Sequence, residues 1–233
     1  MWDGIFYDYC KSMDGRMSCS LNLRNISYTN EHKALFANVC LNVGHEEKIA
    51  ILGANGCGKS TLLKIMAGLI KPSSGYVEIF HHKMENLKAF NTYRNDIGYL
   101  PQDVSNHFLC PTVIEDVIFS LRANGVTQNE AIKKADILLE ELGIIHLKQR
   151  TVFELSGGEQ KIVALAGLLI LEPKILLLDE PTNALDTQSQ ERIMSLLKSI
   201  NKSMVIVSHH HSFIENLAHN MYELKENSFS KIE

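Results

Sequence analysis

"GANGCGKS", residues 53–60, is the stretch that decides how the chain folds. It fits the spacing G-x-x-x-x-G-K-[ST], in which glycines let backbone N–H groups close around phosphate oxygens and the following helix adds its dipole. On this reading Gly53, Asn55, Gly56 and Gly58 shape the loop, Lys59 reaches the β- and γ-phosphates, and Ser60 holds Mg²⁺. The plain alternative is a glycine turn ahead of an ordinary helix. Against it stands the context. A β-prone run, "KIAIL", precedes the loop, and "KSTLLKIMAGL" follows, with Leu62, Leu63, Ile65, Met66 and Leu69 spaced for a mostly buried helix.

Moving outward, a second β-prone run covers residues 21–27, and "ILLLDE" (175–180) and "MVIVS" (204–208) are continuous apolar runs of the kind found in strands covered on both faces. A parallel sheet is therefore expected as the core of an α/β fold. "ILLLDE" also ends in two carboxylates, at the strand end where open α/β sheets bind ligands. Asp179 would support Mg²⁺ and Glu180 would polarise an attacking water. Two solvated acids are the bland reading, which the phosphate loop outweighs. Between residues 111 and 171 the pattern turns helical: "TVIEDVIFSLRANG" and "NEAIKKADILLEELG" each close on a glycine, Gly125 and Gly143, before a third helix opened by "LSGGE" (155–159). We expect a helical lobe over about residues 103–171, inserted into a domain of residues 21–233, with residues 1–20 an extension of unassigned role.

Composition narrows the function. With 233 residues, 45% hydrophobic and 21% charged, the chain can bury one sizeable core with a smaller lobe attached. A net charge of −4 without a dense basic stripe argues against a nucleic-acid partner. Five scattered cysteines without a C-x-x-C pair argue against a disulfide framework or a zinc site, and fit a reducing compartment. The start lacks a secretory pattern. The most apolar stretch, 162–178, is broken by "EPK" (172–174), so neither flank approaches the roughly 20 residues of a bilayer helix. "NKSM" (201–204) lacks the acid of the N-K-x-D element that a GTPase would carry.

"LSGGE" raises a separate question. Ser156 and Glu159 have capping-box spacing, which alone describes a well-capped helix. Yet two glycines in a first helical turn cost stability. The Ser156 hydroxyl with the N–H groups of Gly157 and Gly158 makes a second γ-phosphate cradle, one more than a single ATP requires. Taken in order, "GANGCGKS", Gln102 in "YLPQD", "LSGGE", "ILLLDE", "NALD" (183–186) and "VSHH" with His209 resemble the ATP-binding-cassette (ABC) ATPases, over nearly everything from residue 21 onward. The resemblance implies a P-loop core with a parallel sheet, an N-terminal antiparallel β portion and an inserted α-helical lobe. It implies Mg²⁺-dependent ATP hydrolysis by a head-to-tail dimer, homo- or heteromeric, in which the signature of one cassette closes on the ATP of the other.

Residue roles follow from the same resemblance. Lys59, Ser60, Thr61, Gln102 and Asp179 would hold phosphates and Mg²⁺, Glu180 would be the general base, and His209 would contact the γ-phosphate. Ser156, Gly157, Gly158, Glu159 and Asp186 would act across the dimer. Tyr28 is the candidate for stacking on adenine, with Asn30 also allowed by spacing. Glu159 stands where glutamine is usual, Ile162 where arginine is common and Asn183 where serine or alanine is more frequent; the first two imply a weaker across-dimer site. His209, His210 and His211 could instead ligate a metal, but only His209 falls on a motif. His81 and His82 read as loop residues. Cys57 lies inside the phosphate loop.

The strip "GYLPQDVSNHFLCPTVIEDVIFSL" (98–121) is similar to ATPases of the energy-coupling-factor cobalt, nickel and vitamin importers. In that class the ATPase grips coupling helices of an integral membrane subunit, which implies a peripheral position on the cytoplasmic face of the membrane. The chain ends soon after "MVIVS" without the extension of the longer vitamin-transport ATPases, which favours a divalent-metal cargo, nickel or cobalt, or biotin. Other importers and exporters share the catalytic residues. A non-transport cassette of translation or DNA repair is the remaining alternative, although those generally fuse two cassettes in one chain or insert long coiled coils between the phosphate loop and the signature.

Overall fold

The computed structural model describes residues 19–30, 33–209, 211–225 and 228–232; most of the expected N-terminal extension and His210 lie outside them. The chain divides into two compact units.

The first unit takes residues up to Tyr99, Lys174–Asp179 and residues from Lys202. β1 (Cys19–Asn30) and β2 (Lys33–Gly44) pair antiparallel, followed in the same four-stranded sheet by β4 (Ser74–Ile79) and the two-residue β5 (His82–Lys83). A second, six-stranded sheet is built around β3 (Lys48–Leu52). On one side β3 runs parallel to β8 (Ser203–Val207), which runs parallel to β7 (Ile175–Asp179), with β6 (Ile97–Leu100) at the edge. On the other it runs parallel to β9 (Asn220–Lys225), against which β10 (Ser228–Ile232) lies antiparallel. All five residues of β7 and of β8 are buried, as expected of parallel strands covered on both faces.

Helix α1 (Lys59–Met66) brings Leu62, Leu63, Ile65 and Met66 into one core with Ile49, Ile51, Leu177 and Val205. Leu69 does not join them and is 51% exposed. The helix has already ended, because Gly68 takes a left-handed φ of 67° just beyond the Ala67 cap and turns the chain outward. A Cβ at position 68 would run into the ring of Phe90.

The second unit, Leu100–Pro173 with Glu180–Asn201, is helical: α2 (Val113–Ala123), α3 (Gln128–Glu141), α4 (Gly157–Leu169) and α5 (Thr187–Ser199). Thr112 with Glu115 and Thr127 with Glu130 form capping boxes that open α2 and α3. Gly125 and Gly143 take the positive φ expected of helix stops. Val113, Val117 and Leu121 on α2 and Ala131, Ala135 and Leu139 on α3 form buried stripes at helical spacing.

A final short helix, α6 (His211–Glu215), precedes β9. Among the described residues no helix is long and apolar enough to cross a membrane. Cys19, Cys57 and Cys110 are free thiols.

Candidate functional site

Three adjacent parallel strands, β3, β8 and β7, end at one edge of the sheet, with Ile51 and Asp179 both registered against Val207. The phosphate loop leaves β3 there, Asp179 is the last residue of β7, and Ser208 and His209 follow β8. Carboxyl ends of parallel strands are where α/β sheets bind ligands.

The loop's glycines are required by shape. Gly53, Gly56 and Gly58 have φ of 148°, 78° and 104°. A Cβ on Gly53 would run into the carbonyl oxygen of Leu224, and one on Gly58 would stand 2.9 Å from the Phe36 ring. Lys59 is 7% exposed and folds back along the loop, its Nζ donating to the carbonyls of Gly53 (2.7 Å) and Ala54 (2.9 Å). Helices α2, α3, α4 and α5 each carry a side-chain cap, whereas the N-cap of α1 is Gly58, which offers none. The first-turn N–H groups of α1, with Ser60 and Thr61 among their residues, are thereby left for an anion favoured by the helix dipole.

Half-buried Tyr28 sits with its ring centroid 6.2 Å from that of Phe36, the same ring that closes on Gly58. This chain of contacts sets Tyr28 beside the loop, while Asn30 is exposed at the end of β1. Asn55 and Gly56 are exposed at the loop tip. Cys57, half-buried, lines a 280 Å³ cavity with Ala34, Leu35 and Leu224. Alkylating Cys57 is expected to weaken ATP binding at least tenfold, about 1.4 kcal/mol, and bound ATP is expected to protect the thiol. Equal affinity after complete modification at that site, verified by mass spectrometry, would show that the loop tolerates the adduct.

Asp179 is 2% exposed. Burial, reinforced by the Asp179 charge, pushes the Tyr99 hydroxyl from 10 up to about 12. Because the folded-state value is the higher one, the stability contributed by the neutral phenol is whole below pH 10 and is lost as pH rises through about 12. Of the seven tyrosines, an absorbance titration should show one late step, absent from Tyr99→Phe and moved to lower pH in Asp179→Asn. A single step near pH 10 for all tyrosines would contradict it.

Within the second unit, Glu180 is 4% exposed with a left-handed φ of 50°, a conformation that costs a non-glycine residue about 1–2 kcal/mol. Its carbonyl accepts from Asn183 N–H (3.2 Å) and from Lys161 Nζ (2.6 Å). Lys161 Nζ also donates to the carbonyl of Gln102 (2.9 Å), whose side chain is exposed. Sequence reasoning passed over Lys161, and likewise Thr182, whose hydroxyl is buried without a partner.

Exposed Ser156 opens α4 with a complete capping box: its Oγ accepts from Glu159 N–H at 3.3 Å, and the Glu159 carboxylate accepts from Ser156 N–H and Oγ, each at 2.8 Å. These two donors hold the Glu159 carboxyl below its ordinary range. The residue that departs from the usual glutamine thus keeps the Ser156 proton occupied. The two glycines differ. Nothing lies within 4 Å of a Cβ built on Gly157, whereas one on Gly158 would stand 3.0 Å from the carbonyl of Ala184. Gly158 therefore has an internal reason to be glycine that Gly157 lacks. Asp186 caps α5, accepting from Ser189 N–H (2.9 Å) and Oγ (2.7 Å). Ile162 is buried at 4%, so any influence it has on turnover passes through packing.

His209 is exposed, and His210 and the side chain of His211 lie outside the described residues. Among the described residues no group of three histidine, cysteine or acidic side chains could hold a metal ion. His82 belongs to β5 and stacks on Tyr93, with centroids 6.2 Å apart, where we expected a loop.

Residues 36–183 match the family model described as "ABC transporter". The chain is 38% identical, over 197 residues, to a protein of Brucella suis biovar 1 named as an ABC transporter ATP-binding protein, covering 84% of this chain and 82% of that one. Its fold is similar to that of cbiO1 from Clostridium perfringens, described as part of the ABC transporter complex cbiONQ (TM-score 0.80, 32% identity, 91% of this chain and 87% of that one). It is also similar to the cassette MJ0796 in a dimeric post-hydrolysis state bound to ADP and Pi (TM-score 0.82, 31% identity, 91% and 99%).

Proposed function

The chain belongs to the ABC transporter family, whose cassettes bind and hydrolyse ATP to drive transport, and from that premise we propose that it energises the import of a divalent metal ion, nickel or cobalt. The observation that carries the cargo is the strip 98–121, whose order of residues is similar to the energy-coupling-factor importers. The likeness in fold to cbiO1 supports it. In the second unit, where most large apolar side chains are buried, Leu109 and Phe119 in this strip are 72% and 43% exposed, which suits contact with another protein. Cassettes of the family form dimers and partner membrane components. We assign this chain a head-to-tail dimer bound peripherally to integral subunits at the cytoplasmic face.

In the proposed mechanism Lys59, the loop N–H groups from Gly53 to Gly58 and the open first turn of α1 hold the phosphates, with Thr61 beside them and Tyr28 against the base. Ser60, Gln102 and Asp179 offer hydroxyl, amide and carboxylate oxygens, the hard donors that Mg²⁺ prefers. The depth of Asp179 at the end of β7 suits a cation better than water. When bound, Mg²⁺ supplies neutralisation of charge developing on the phosphate oxygens. Glu180 takes the proton of the attacking water and His209 steadies the γ-phosphate. Ser156, Gly157 and Gly158, with Glu159 and Asp186 alongside, serve the nucleotide of the partner cassette.

The test is to tag the protein at its native level, solubilise membranes in mild detergent, and identify what co-purifies, including metal. A multi-spanning partner with nickel or cobalt is expected. Recovery only from the soluble fraction, with ribosomal or DNA-repair partners, would overturn the transporter assembly; a multi-spanning partner carrying a vitamin or lipid would overturn the metal alone.

A further inference from the structure

We infer that Lys161 is a positioning residue for ATP hydrolysis, clasping the backbone of Glu180 and of Gln102 so that α4 sets where the attacking-water carboxylate stands. The inference rests on the reading of Glu180 as general base. Lys161 is 4% exposed, and a lysine is almost never buried so completely unless its ammonium is well partnered. Its Nζ donates to two main-chain carbonyls, at 2.6 and 2.9 Å, from two loops far apart in sequence. Lys161, Gln102 and Glu180 all belong to the second unit.

The clasp acts where the backbone is strained. Glu180 has φ of 50°, which no glycine relieves, and the peptide group that follows it is pinned by donors from Lys161 and Asn183. Two donors on one carbonyl fix ψ, and with φ this fixes the direction in which Cβ leaves the end of β7. A hydrogen bond from an ammonium is the stronger kind. Without it the residue can relax towards negative φ, which swings the carboxylate away. The same ammonium ties down the backbone of Gln102 while leaving its side chain exposed. Lys161 is also the fifth residue of the helix whose first turn carries Ser156, Gly157 and Gly158. A displacement of that turn by a partner's nucleotide would therefore reach Glu180 and Gln102 together.

The variant that tests this is Lys161→Met, which keeps the length and apolar body and removes the ammonium. Measured on the purified full chain with ATP and Mg²⁺, it should lower single-turnover kcat by about 10- to 100-fold, since small misplacements of reacting groups cost that much. The ATP Kd should stay within about twofold, an affinity change too small to account for the rate. Lys161→Arg should recover part of the rate. Wild-type kcat in Lys161→Met would overturn the inference. So would a joint fall in kcat, affinity and melting temperature without recovery by arginine, the pattern of a purely structural lysine. Should Lys161→Met not fold, Lys161→Gln is measured instead, and wild-type kcat there overturns the inference equally. Glu180→Gln is run in parallel. A loss there with none in the Lys161 variant sinks the clasp alone, whereas unchanged turnover in Glu180→Gln sinks the assignment beneath it.

Discussion

Glu180→Gln should lower the rate of ATP hydrolysis by about 10²- to 10⁴-fold, the span that one positioned general base contributes, while leaving the fold and ATP binding intact. The substitution is isosteric, and the backbone contacts of Glu180 run through its carbonyl, which glutamine keeps. What is removed is a charge on a side chain only 4% exposed, at the end of a fully buried strand. Removing a negative charge opposite a triphosphate favours ATP, so the variant should bind nucleotide at least as tightly as the wild type. With hydrolysis stopped, the ATP state has no exit, and an ATP-bound dimer should accumulate. Size-exclusion chromatography with ATP and Mg²⁺, read beside phosphate release, checks both halves. A variant that stays monomeric and keeps turning over would overturn the proposed mechanism.

How much of this was legible in the sequence depends on whether the physics is local. The glycine-rich turn between β3 and α1, the fully buried strands β7 and β8, and the glycine stops at Gly125 and Gly143 are written in short windows, and the structure has these elements where they were read. Leu69 was misread because helical spacing continues past the point where Gly68 ends the helix. The antiparallel sheet was expected only as a class. β1 is irregular where Asn25 takes φ of 50°, which breaks the alternation that would reveal its faces, and β5 is too short to have a pattern. The site was hardest to read where contacts join distant segments. Lys161 on a helix reads as a surface lysine until the carbonyls of Gln102 and Glu180 are seen around it. Gly158 reads like Gly157 until the Ala184 carbonyl is found against it.

That difference between the two glycines makes Gly157→Ala the more telling signature variant. Alanine at 157 meets nothing within 4 Å and needs no left-handed φ, so it should stabilise the isolated chain by about 0.5–1 kcal/mol. That is a rise of about 1–4 °C in Tm for a chain of this size. Hydrolysis should nonetheless fall by about 10²-fold, because the methyl group holds a partner's γ-phosphate away from the N–H groups of α4. Stability and activity moving in opposite directions separates a phosphate cradle from a mere helix cap, for which both would hold or rise. Gly158→Ala serves as the contrast, since crowding against Ala184 and Leu185 should cost it stability regardless of nucleotide. Mixing the Gly157→Ala and Glu180→Gln proteins then asks whose nucleotide the signature serves. In a head-to-tail dimer a mixed pair keeps one site with an intact Glu180 facing an intact Gly157. Two inactive proteins should therefore recover about a quarter of the wild-type rate, half the dimers being mixed and each carrying one good site of two. Were the signature to act on the ATP of its own chain, every site in the mixture would lack one of the two residues, and no recovery could occur.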